Sequence, residues 1–324
     1  MNRRVTVSAP GKLMLFGDHA VVYGKPCIVA AVNSRMRVSI AVREDDRILL
    51  DAPDVELHYA TSIDKLNSEH PKHAKFVMRA VHNFFSTFEL RCGLEIRTES
   101  DFSSRFGLGS SSAVTVSVLK GLAELFEVRM DNKALFELAY KSVLDVQGVG
   151  SGFDVAAAVY GGIVYFIGGG RKIERLKDVR IPLIVGYTGV KADTPALIRR
   201  VKKLFEEEPE RIGGIFDGIA NLVERARALI AAQEWRGVGE LMNENQHFLR
   251  KLNVSSPKLE RLIEASLRSG AYGAKLSGAG GGDCMIAVHE NSRAIKQGIR
   301  NAGGVPLDVE IDFEGVRIET EQNL

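Results

Sequence analysis

The chain has 324 residues, enough for one large domain or two ordinary ones around a substantial core. Hydrophobic residues make up 45% and charged residues 26%, and 43 basic against 41 acidic residues leave a net charge of +2. That balance excludes the clustered basic surplus of a nucleic-acid binder. Three cysteines, Cys27, Cys92 and Cys284, stand far apart without CxxC spacing. A disulfide framework and a cysteine zinc site are excluded, and a reducing cytoplasmic setting is expected. The start "MNRR" leads into no apolar stretch, so no signal segment is expected. The longest uncharged run, residues 155–170, is broken by glycines and short of the roughly 20 apolar residues of a membrane span.

In chain order, "RRVTVSAPGKLMLFG" alternates around Pro10 and Gly11 and predicts strand, turn, strand. "CIVAAVNSRMRVSIAVRE" and "RILLDA" predict further strands, and "HAKFVMRAVHNFFSTF" has helical spacing. "GLEIRTES" predicts a strand. Thr115, Val118, Leu119, Leu122 and Leu125 then mark a helix, and "KALFELAYKSVLDV" another. In "VAAAVYGGIVYFIGGG" we read a helix end, a Gly-Gly turn and a buried strand. "IPLIVGYTG" predicts a strand. Residues 194–232 read as helical, interrupted by "EEEPERIGG". Two helices follow, the second capped by Ser256, with Pro257 in its first turn and Gly270 past its end. "AYGAKLSGAGGGDCMIAVH" reads strand, glycine loop, strand, and the tail "PLDVEIDFEGVRIE" reads as a β pair turning at Glu314 and Gly315. The polar, glycine-rich stretch near residue 178 suggests a boundary, giving an α+β chain of two halves, 1–178 and 179–324.

Chemistry concentrates in three glycine-bearing segments. In "RFGLGSSSAV", residues 105–114, Gly107, Leu108 and Gly109 lead into Ser110, Ser111 and Ser112 at a helix start. A helix N-terminus has unpartnered N–H groups and a positive dipole end, so it attracts anions. The segment fits both a phosphate cradle and a capped helix after a tight turn. A P-loop would need GK[ST] after its second glycine, so that class is disfavoured. "KLSGAGGGDC", residues 275–284, carries more glycine than packing between two strands explains, including Gly278 and Gly280; a close approach to a ligand or another loop would explain it. In "APGKLMLFGDHAVVYGK", Lys12 follows Pro10-Gly11 and Asp18-His19 follow Gly17. A cleft lysine there would serve anions, although a lone lysine is more often a surface residue.

In order and spacing, these segments resemble the GHMP kinase superfamily, most closely its mevalonate kinases. "APGKLMLFGDHAVVYGKP" is similar to their first motif, "GLGSSSA" to their phosphate loop and "KLSGAGGGDC" to their third motif. "NENQHFLRKLNVSSPKLERLI" is similar to their helical stretch before the third motif. The resemblance implies an N-terminal domain like the second domain of ribosomal protein S5 and a ferredoxin-like C-terminal domain, with ATP between them. It implies that Gly107, Leu108, Gly109, Ser110, Ser111, Ser112, Gly278 and Gly280 hold the phosphates. Ser111 would also bind Mg²⁺. Asp154 in "GSGFD" would be the catalytic aspartate, with Lys12 beside it. His19, Asp18 and Thr188 would contact a small-molecule substrate. The residues themselves allow Asp154 to be only a helix cap. A homodimer is usual in the family, and neither nucleic acid nor membrane is an expected partner.

Three departures matter. The family's Mg²⁺-binding glutamate position is Val143 here, with Asp145 a substitute two residues on. Asp18 stands where glutamate is usual. "VGSGFDVAAAVYGG" resembles phosphomevalonate kinases, which need added cations for a second phosphate; Arg105, Lys191, Arg199 and Arg200 are candidates, the last two on a helix face expected to be solvated. Phosphomevalonate kinase and other GHMP small-alcohol or sugar kinases remain alternatives. A non-catalytic binding protein would suit the loss at Val143, but Lys12, Ser111 and Asp154 together oppose it.

Overall fold

The computed structural model describes residues 3–103, 106–176 and 178–323. It opens with β1 (Arg3–Phe16), β2 (Pro26–Arg43), β3 (Arg47–Ala52) and β4 (Leu57–Ser62). Then come α1 (Lys75–Phe88), β5 (Gly93–Ser100), α2 (Ser110–Leu125), α3 (Asn132–Gln147), α4 (Phe153–Tyr160), β6 (Ile163–Ile167) and β7 (Lys172–Arg175). The second half runs β8 (Leu183–Tyr187), α5 (Thr194–Glu207), α6 (Pro209–Ala232), α7 (Trp235–Lys251) and α8 (Pro257–Arg268). It ends with β9 (Gly273–Leu276), β10 (Cys284–Val288), α9 (Ser292–Asn301), β11 (Val305–Leu307) and β12 (Arg317–Asn323).

The first sheet runs β12-β1-β2-β5-β3-β4, with β6 on β2 and β7 on β6; the second runs β11-β8-β10-β9. Among the described pairings only β3–β5 is parallel. Successive side chains on a strand point to opposite faces, and β2 shows what that does. Cys27, Val29 and Ala31 enter the core under α1–α4, while Ile28, Ala30 and Val32 enter a second core shared with the other half. The small sheet is sorted the same way. Cys284, Ile286 and Val288 face the shared core, and Met285 and Ala287 face a third core with α8 and α9. The two halves therefore have a common apolar floor, and α6 adds a polar seam where Tyr165 donates to Glu224 at 2.6 Å. This is the α+β architecture expected.

Local readings differ in places. β1 does not turn at Pro10. It continues through a register shift, where Pro10 pairs with Arg35 and Gly11 with Val32. Proline lacks a ladder N–H and is tolerated at such irregularities. The break in residues 194–232 is only Glu208, because Pro209 starts α6 at once. The tail does not form its own β pair: β11 joins β8, and β12 returns to β1. Buried Arg35 directs that return. It pairs with Asp312 and donates to the Gly315 carbonyl at 2.5 Å, while Asp312 accepts the Glu314 and Gly315 amides at 3.0 and 3.2 Å. β4, β7 and α9 were not anticipated.

Candidate active site

The register shift in β1 sets the site. Gly11 has no Cβ, and one placed there would lie 2.8 Å from the Leu108 carbonyl oxygen. The loop before α2 therefore packs directly on β1. The Lys12 amide donates to the Leu108 carbonyl at 2.8 Å, and its ammonium to the Gly107 carbonyl at 2.9 Å. Gly107 and Gly109 have φ of 73° and 81°, which side chains rarely adopt. Gly109 is the N-cap of α2 and no side chain caps that end, leaving a positive helix terminus for an anion.

Of the residues expected on this loop, Ser110 and Ser111 line a cleft of about 1100 Å³. Leu108 is 1% exposed and lies in the shared core, so only its backbone belongs to the loop surface. Ser112 is equally buried, and its Oγ has no hydrogen-bond partner. The cleft is bounded by Lys72, Lys75 and Phe76 on one side and by Val149, Lys191 and Ile198 on another, so both halves build it.

Asp154 lies in the first turn of α4, behind Gly152 at φ 91°. Its Oδ1 accepts the adjacent Val155 amide at 3.1 Å. The Lys12 ammonium lies 5.5 Å from the ring centroid of Phe153, Asp154's chain neighbour. Burial raises the Cys27 thiol well above its ordinary value, and the charges of Asp18 and Asp154 add to that.

Asp18, His19 and Thr188, expected beside the substrate, are each engaged by other parts of the chain. Asp18 is 1% exposed; it pairs with Lys275 and accepts the Gly278 amide. His19 is buried, and its Nε2 bonds the Ala279 carbonyl at 2.9 Å. Burial lowers its pKa, the Ala279 bond and Asp18 working against that. Thr188 donates to the Val190 and Asp283 carbonyls at 3.1 and 3.0 Å. All three hold loops in place.

The third glycine segment reaches the first through Asp283. A Cβ on Gly107 would strike the Asp283 carboxylate at 2.4 Å, so glycine is required there for space as well as for φ. Asp283 accepts the Ala192 amide at 2.9 Å. Burial raises its pKa against that bond and the charges of Lys12 and Lys191. Gly280 abuts the Val254 carbonyl, 2.1 Å from where its Cβ would be, and Gly281 donates to the same oxygen at 2.7 Å.

Sequence reasoning missed Lys275, Ser277, Asp283 and two amides of α7. Asn243 and Gln246 take the Ala274 and Leu276 amides of β9, each at 3.0 Å, supplying partners to an edge strand. The stretch "NENQ" held that signal, two amide residues three apart on one helix face.

Val143 is buried in the core, and Asp145, two residues on, is exposed and accepts from Asn83 at 2.8 Å. Among the described residues no cluster of three or more His, Cys, Asp or Glu could hold a metal. Arg105 lies outside the described residues, and Arg199 and Arg200 are exposed. Among the described residues no helix is long and apolar enough to cross a membrane.

Residues 75–162 match the GHMP kinases N terminal domain, and residues 226–304 the GHMP kinases C terminal domain. The mevalonate kinase of Thermococcus sibiricus is 37% identical, with 98% of each chain covered. That of Pyrococcus abyssi is 35% identical over 98% of this chain and 99% of its own. The crystal structure of the Methanococcus jannaschii mevalonate kinase superposes with a TM-score of 0.77 at 25% identity, over 98% of both chains.

Proposed function

The chain belongs to the GHMP kinase family, and from that premise we propose that it transfers the γ-phosphoryl group of ATP to the primary hydroxyl of mevalonate. The observation that carries this is the full-length likeness to curated mevalonate kinases, such as the 37% identical protein of Thermococcus sibiricus. The uncapped start of α2, opening on a cleft built by both halves, supports it in physical terms.

The Ser110–Ser112 end of α2 would take the triphosphate, with backbone N–H groups and the helix dipole aimed at its charge. Gly278 and Gly280 would bring the third-motif loop to the same phosphates. Asp154 would accept the proton of the substrate hydroxyl as that oxygen attacks the γ-phosphorus in line and ADP departs. Lys12 keeps one donor on Gly107, and its positive charge would favour the forming alkoxide. Its bond to the loop would hold nucleophile-side and phosphate-side groups in one frame.

Magnesium fits the donor set: hydroxyl oxygens and phosphates suit a hard cation that keeps several waters, and Ser112 Oγ is buried without a partner beside them. Ser111 would be its protein ligand, and the ion, when bound with ATP, would neutralise charge developing on the transferred group. A reducing cytoplasm suits the three unpaired thiols.

The test is ADP release with Mg-ATP, offering mevalonate, 5-phosphomevalonate and a free sugar separately. Turnover with mevalonate alone is expected. Turnover confined to phosphomevalonate would overturn the acceptor and give the "GSGFD" segment the deciding role.

A further inference from the structure

Asp18 and Lys275 form an ion pair at 2.7 Å with both side chains 0% exposed. Two charges removed from water are costly, and an apolar pair of similar volume holds a core at least as well. What the ion pair adds is direction. The second carboxylate oxygen of Asp18 accepts the Gly278 amide at 2.7 Å, and the Lys275 ammonium also donates to the Leu276 carbonyl.

The segment carrying Asp18 is itself constrained. His19 has φ 61° and ψ −46°, and the Ala20 amide bonds the Asp18 carbonyl at 2.7 Å. This is a γ-turn of the rare, strained hand. Strain of this kind persists only when surrounding structure over-determines it. Here the surroundings are the other half of the chain: Lys275 and Gly278 on Asp18, and Ala279 on His19. Ser277 adds a fourth tie, its hydroxyl donating to the Met14 carbonyl and accepting the Met14 amide, each at 3.0 Å. The register of Lys275 is fixed in turn by Asn243 and Gln246 on the neighbouring amides.

We propose that Asp18 and Lys275 are a positioning pair for the nucleotide. They hold residues 277–282 at one height against the Gly107–Gly109 loop, so that both loops meet the triphosphate already formed. Neither residue touches a substrate. The proposal rests on the reading that ATP occupies this cleft.

The test compares wild type with Lys275→Met, Asp18→Asn and the double variant. Equilibrium binding of ATP, KM for ATP, KM for the alcohol, kcat and melting temperature are measured. Each single variant is expected to weaken ATP binding by about tenfold or more, the scale of a small misplacement, with KM for the alcohol moving less than about twofold. The double variant, with no unpaired charge, is expected to recover melting temperature but not ATP affinity. Wild-type ATP affinity in the folded double variant would overturn the proposal. Hydrogen exchange on the unmodified protein gives a check free of folding defects: the Gly278 amide is expected to be protected without nucleotide, and fast exchange there would overturn the pair's role. A wild-type protein that binds no ATP would instead sink the nucleotide reading, and this proposal with it.

Discussion

The ammonium of Lys12 donates to the carbonyl of Gly107 at 2.9 Å, tying the first strand to the loop that opens α2. A lysine expected to serve the acceptor therefore also shapes the phosphate side. Lys12→Met is expected to lower kcat by about 10² or more and to raise KM for ATP as well, because one group supplies both positive charge and loop geometry. Steady-state kinetics with each substrate varied in turn checks this. An unchanged KM for ATP would mean that the loop keeps its shape without the bond.

Asp154 gives the opposite split. Its carboxylate bonds the Val155 amide next to it, so little of the fold depends on its charge. Asp154→Asn is expected to lower kcat by about 10²–10⁴, the range for a lost general base. ATP affinity and melting temperature should stay near wild type. Titration calorimetry with ATP, alongside turnover, separates this from collapse of the site; retained turnover would remove Asp154 from the chemistry.

The two glycines assigned to the third motif should respond differently to alanine. Gly278 has φ 94° with open space around the absent Cβ, so Gly278→Ala carries only backbone strain, about 1–3 kcal/mol. Gly280 has φ 82° and would press a Cβ to 2.1 Å from the Val254 carbonyl. Gly280→Ala is expected to destabilise more than Gly278→Ala and to displace the loop. Urea unfolding of both variants tests the order; equal losses would mean that Val254 yields freely.

Much of this was legible in the sequence, and what was not has identifiable causes. Periodicity marked α1, α2 and α3, and apolar runs between turn signals marked most strands of the two sheets, but the short β4 and β7 carry no such run. β12 was misread because its partner is β1, at the other end of the chain, and no local pattern marks a strand's distant mate. The glycine segments located the site, yet the work of Asp18 was hidden. Its acceptor role toward Gly278 spans 260 positions, and its buried counter-ion looks in sequence like any strand lysine. Asp283 was passed over because the glycines before it carry the motif, although it is the residue against which Gly107 packs.

His19 makes stability depend on pH in a stated direction. Burial lowers its pKa below the ordinary value of 6.5, despite the bond to Ala279 and the charge of Asp18. An unfolded chain then binds its proton more readily than the folded one. The folded state has its full stability above about pH 6.5 and loses it as pH falls toward the depressed value, by at most about 1.4 kcal/mol per pH unit for one proton. His82, lowered mainly by burial and by Arg79, adds a slope of the same sign. Asp283, raised by burial, contributes the opposite: stability present at low pH and lost as pH rises through its folded value. Because the latter two are common to both proteins, comparing His19→Gln with wild type isolates His19. Denaturant unfolding at pH 7.5 and pH 5 is expected to show a smaller loss on acidification in the variant. An equal loss in both proteins would mean that His19 already carries its proton in the fold, donating from both ring nitrogens.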